Sequence, residues 1–127
     1  MSFTNFLETE ILDHVFAGAA YSAPGTHYLA LFTAISDGEA GSVTELSGSA
    51  YARQSVAFTT SGNTTSNNAA VEFPTASGSW GTVTHVGVYD ASTSGNLMAY
   101  ATLSSSKAIA SGDVFRVPSG DLDITLD

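Results

Sequence analysis

The sequence predicts an all-β fold: an antiparallel β-sandwich or jelly-roll-like domain preceded by an N-terminal amphipathic α-helix. Three observations carry this. Charged residues make up only 12%, about half the usual share of roughly 25%, so the polar surface comes from 18 Ser and 15 Thr, with 12 Gly at the turns. Thr favours strands, and Ser and Gly favour turns. Beyond the first residues, apolar positions come as short runs or alternate with a period of two, separated by Gly, Pro, Ser and Asn. Only Met1 to Gly18 shows helical spacing.

In that opening stretch Phe3, Leu7, Ile11 and Val15 recur every four residues, with Phe6, Leu12 and Phe16 widening the stripe and Glu8, Glu10 and Asp13 between. Ser2 or Thr4 is the N-cap and Gly18 the stop. Two readings remain open: the helix covers an end of its own domain, or it docks on another copy or another protein. Under the second, Phe3, Phe6, Leu7, Ile11 and Val15 are the partner-binding residues. An isolated helix of this length is marginal in water, so its apolar face needs a partner. The chain divides into a helical arm, residues 1–18, and a β domain, residues 19–127.

Pro24-Gly25 breaks the connector. Tyr28 to Ile35 is a strand whose continuous apolar run implies burial on both faces. Ser36 to Ser49 is an acidic, Gly-rich loop with a short pairing near Val43-Thr44. Tyr51 to Thr59 is a strand, Thr60 to Asn68 a polar loop, and Ala69 to Phe73 a strand stopped by Pro74.

Trp80 to Leu103 is the clearest hairpin. Val86 and Val88 share one face with Thr84, while Val83, His85, Gly87 and Tyr89 take the other. Asp90 to Asn96 reverses the chain. Leu97, Ala99, Ala101 and Leu103 then share a face opposite Met98, Tyr100 and Thr102. The pair, free of charge, is expected mid-sheet. Ser104 to Ser106 breaks the pattern, Lys107 to Ala110 is extended, and Val114 to Val117 is a strand closed by Pro118. Leu122, Ile124 and Leu126 alternate with Asp121, Asp123, Thr125 and Asp127, as in a half-buried strand. The expected core is Leu29, Leu31, Val56, Phe58, Phe73, Val86, Val88, Leu97, Ala99, Leu122 and Ile124.

Charge and motif exclude most chemistry. A net charge of −9, with Arg53, Lys107 and Arg116 the only Lys or Arg, leaves no basic patch for nucleic acid or an anionic membrane. With no Cys there are no disulfides or thiolate metal sites. No apolar run approaches the roughly 18 residues of a membrane span, and no basic stretch precedes an apolar one as in a signal peptide. The nucleophile-elbow, glycine-rich phosphate and zinc-helix motifs are absent. Asp121, Asp123 and Asp127 read as the wet face of a strand, not as a calcium site. Trp80, Tyr89 and Tyr100 read as core and strand aromatics, not as a sugar platform. No catalytic residue, metal or cofactor is expected.

The segments SFTNFLETEILDHVFAGAAYSAP, YLALFTA, SGSAYARQSV, EFPTASGSWGTVTHVGVYDASTSGNLMAYATLSSSKAIASGD and GDLDITLD together resemble small tailed-bacteriophage virion proteins, a family often labelled tail-fibre proteins, some of which act as capsid cement or decoration. WGTVTHVGVYD and GNLMAY are the most specific parts. The resemblance implies a non-enzymatic structural protein of the virion, assembled in the bacterial host cytoplasm and forming a homotrimer. The main expectation is a cement or decoration subunit on the major capsid protein. The second is a tail-fibre or baseplate component that binds other tail proteins or a host glycan.

Overall fold

The apolar run Leu29–Phe32 becomes the centre of the protein. A computed structural model describes the whole chain, Met1–Asp127, and there all four side chains are fully buried. They lie on β2 (His27–Asp37), and alternation sends Leu29 and Leu31 to one face of the sheet and Ala30 and Phe32 to the other. The large sheet has the order β1-β9-β8-β2-β3, with β4 pairing the other half of β2. Its members are β1 (Ser2–Phe3), β3 (Ser42–Glu45), β4 (Gln54–Val56), β8 (Gly81–Tyr89) and β9 (Leu97–Ile109), and every pairing is antiparallel.

The second layer is assembled from short pieces. One sheet has the order β11-β6-β5, from β5 (Phe58–Ser61), β6 (Thr64–Asn67) and β11 (Asp123–Thr125). A two-stranded ladder joins β7 (Val71–Glu72) to β10 (Arg116–Val117). Leu29, Leu31, Val83, Val86 and Val88 pack from the large sheet against Val71, Phe73, Phe115 and Leu122. The Tyr51 ring stacks on Phe73 at 6.1 Å and meets Trp80 edge-on at 5.6 Å. Buried Asn67 ties the second layer together: its side chain donates to Ala69 O and Pro118 O and accepts from Leu122 N–H, each at 2.9 Å.

Of the eleven expected core residues, Phe58 and Ile124 are only half-buried and the other nine are buried. Two bulges overturn the expected faces of the hairpin. Between Val83 and His85 the register with β9 jumps, so four residues, Leu103 to Ser106, oppose the single Thr84. That turns Val83 into the main core beside Val86. A second shift places Leu97 opposite Tyr89 while Ala99 stays opposite Val88. Leu97 therefore joins Ala30, Phe32 and Tyr89 on the other face. Gly87 has no Cβ because one would sit 2.6 Å from the Phe32 ring and 2.7 Å from Leu97.

Three other expectations change. The expected strand from Tyr51 to Thr59 breaks at Ala57, where the chain passes from one layer to the other: Val56 pairs with His27 and Phe58 with Asn67. Thr60 to Asn68 is not a loop but a hairpin, β5–β6, turning at Gly62 with φ +62°. Strand β9 is not enclosed either. Its outer side pairs with β1 only at Ala99 and Tyr100, and it runs on through Ser104–Ser106.

Candidate functional site

The helix of the N-terminal arm begins where β1 ends, so Met1 to Phe3, expected in the helix, lie outside it. Thr4, the N-cap, has extended backbone and is almost fully buried. Its hydroxyl donates to Leu97 O at 2.6 Å, its N–H donates to Met98 O at 2.9 Å, and its Oγ1 accepts from Leu7 N–H at 3.5 Å. One residue thus caps α1 (Asn5–Phe16) and fastens it to β9. Asn5 N–H reaches Glu39 O at 3.0 Å. At the far end Gly18, with φ +73°, lets Ala17 and Ala19 both donate to Asp13 O at 3.1 Å. The connector then folds back, Tyr21 N–H donating to His14 Nδ1 at 3.0 Å.

The structure separates the five residues the sequence singles out. Leu7 is buried in its own domain. With Phe3, His27, Phe58, Met98 and Ile124 it lines an apolar cavity of about 240 Å³ under the arm. Phe3, Phe6 and Ile11 are half-buried, and Val15 is exposed. The bare apolar face consists of Leu12, Val15 and Phe16, the last 81% exposed, and every residue from 12 to 20 is exposed. β1 and Thr4 fasten the start of the helix to the sheet, and the end of the helix is left in solvent.

Near the other face of the large sheet lies a polar cluster that sequence reasoning missed. Arg53 grips both Glu45 oxygens at 2.8 and 2.9 Å, donates to Ala91 O at 2.9 Å and Ser94 O at 2.7 Å, and lies 3.5 Å above the Tyr89 ring. The Tyr51 hydroxyl accepts from Leu31 N–H at 3.1 Å and donates to Glu45 at 2.7 Å. Only the scarcity of Arg in the sequence hints at it. Burial first, with Glu45 beside them, pushes the Tyr51 and Tyr89 phenols above their ordinary value. Both keep their protons in the fold where unfolded tyrosines, with pKa about 10, lose theirs. Their stabilising effect is therefore full below about pH 10 and fades as pH rises further. Ultraviolet titration is expected to show these two phenolates only together with unfolding; all five tyrosines ionising near pH 10 in a folded chain would contradict it.

The remaining candidate groups stay apart. His14 binds the connector, His27 meets Phe58 edge-on at 6.1 Å, and His85 pairs with Thr84 Oγ1 at 2.7 Å. No three His, Asp or Glu side chains converge as a metal site would require. Asp123 accepts a hydrogen bond from the Ser66 hydroxyl. Trp80 is a core residue whose Nε1 donates to Ser49 O at 2.8 Å. Tyr89 lies in the other cluster, so the two share no platform. No helix is long and apolar enough to cross a membrane.

Residues 2–125 match the family model described as podophage GP4 fiber I protein gp80. No curated protein matches the chain. The match makes the chain a phage structural protein of the fibre type, located in the virion and in contact with other virion proteins. Between the head and tail assignments it favours the tail.

Proposed function

Because the chain belongs to the podophage GP4 fiber I protein gp80 family, we propose that it is a non-enzymatic, cofactor-free component of a tail fibre, assembled as a homotrimer in the host cytoplasm. Residues 1–18 are the docking element and residues 19–127 the body. The observation that carries this reading is the bare face Leu12, Val15 and Phe16 at the end of an arm held rigidly at its start. Fully burying one such side chain stabilises by about 1.5–3 kcal/mol, so three of them outside any core are available for assembly. Phe3, Phe6 and Ile11 are half-buried, and Leu7 is buried in its own body.

The test is location. Gold-labelled antibody against the purified protein, imaged on intact virions, is expected to decorate the tail. Label spread regularly over the head would replace this assignment with the cement reading.

A further inference from the structure

The arm leaves its apolar face bare, and the chain carries a cleft suited to receive it. A cleft of about 600 Å³ opens between the two layers at the β9 edge of the sandwich, beyond the end of β1. Its floor includes Val86, Phe115 and Leu122, and its walls include Lys107, Arg116, Asp121 and Asp123. Lys107 and Arg116 are the only Lys or Arg besides Arg53, which is locked to Glu45. Arg116 makes only a long surface contact, 3.8 Å, with Glu72. A chain of net charge −9 thus places two of its three Lys and Arg residues on one cleft, beside Asp121 and Asp123.

The arm has the matching pattern. On a helix Glu8 sits one turn before Leu12 on the same face, and Asp13 lies beside Phe16. Both acids are exposed. Met1 lines the cleft, but geometry excludes the chain's own helix as occupant. Strand β1 runs antiparallel to β9, passing Tyr100 and then Ala99, so the helix departs at the Leu97 end, beside Asn96. The cleft spans Ala101 to Lys107, with no helix residue in its lining. The arm leads away from its own cleft.

Building on the fibre reading, we propose that the arm of one copy docks in the cleft of a second copy: Leu12, Val15 and Phe16 enter the cleft, and Glu8 and Asp13 face Lys107 and Arg116. Each copy then presents one arm and one cleft, a head-to-tail contact that closes into a ring when the rotation allows.

Light scattering on the purified full-length protein reads this directly. Phe16→Asp alters a side chain that is 81% exposed, so circular dichroism is expected to stay unchanged while association weakens by about a hundredfold. The pair Glu8→Lys with Asp13→Lys, or the pair Lys107→Glu with Arg116→Glu, is expected to weaken association by about tenfold. All four reversals in one chain restore it, because each arm again meets a cleft of opposite charge. A wild-type chain that stays monomeric, an oligomer indifferent to Phe16→Asp, or reversals that fail to rescue one another would each overturn the proposal. These outcomes are read in solution and leave the location of the protein on the virion to be decided by labelling.

Discussion

Leu31→Asp is expected to leave the chain unfolded, with no cooperative thermal transition by circular dichroism. Leu31 sits on the central strand, fully buried among the main core residues. Its neighbours across the ladder are Val86 on one side and, through its own carbonyl, Leu46 on the other. No cation lies in that cluster. An unpaired buried carboxylate costs several kcal/mol, against a total stability of roughly 5–15 kcal/mol for a domain. Leu31→Ala removes the side chain without adding charge and is expected to cost about 2–5 kcal/mol while keeping the fold. A cooperative melt of Leu31→Asp at the parent temperature would mean that β2 does not form the centre of the sandwich.

Arg53→Ala is expected to have the next largest effect, a loss of about 3–5 kcal/mol, which lowers Tm by roughly 10–25 °C. The side chains of Arg53 and Glu45 are 7% and 23% exposed, so removing the guanidinium strands a carboxylate that solvent reaches poorly. The same change frees Ala91 O and Ser94 O in the loop between β8 and β9. Arg53→Lys keeps the charge but loses the two-pronged grip, so it is expected to fall between parent and alanine variant. A loss under about 1 kcal/mol for Arg53→Ala, the scale of an exposed pair, would show that Glu45 and the loop find other partners.

The antiparallel sandwich, the buried central strand and the opening helix are legible in residue pattern, because alternation and four-residue spacing report which side of an element is apolar. The pattern fails where the backbone breaks its own period. Nothing in Val83-Thr84-His85 signals that four residues across the ladder will oppose Thr84, so parity counting sends Val83 to the wrong face. Strand β6 is invisible for a different reason. Thr64 to Asn67 has no apolar residue; its place comes from pairing on both sides and from the buried amide of Asn67. The arm was legible as one apolar stripe, but not its division into a seated Leu7 and a bare Phe16. That depends on where β1 anchors the helix, a contact between residues more than ninety positions apart. The cleft combines Lys107 on β9 with Arg116 on β10, strands of different layers, which spacing along the chain does not encode.

The outer side of β9 beyond Tyr100 has a consequence for crowding. A long flat open strand is a template on which copies add edge to edge without limit, as in fibrillar aggregates. Copies concentrated on one particle would meet that hazard constantly. Here the exposed stretch carries Ser104, Ser105 and Ser106 in the bulge and Lys107 just after it. The kink spoils the even hydrogen-bond spacing that an incoming strand needs, and desolvating the lysine opposes its approach. The serine run that interrupts the strand's apolar alternation thus acts as a guard against runaway polymerisation.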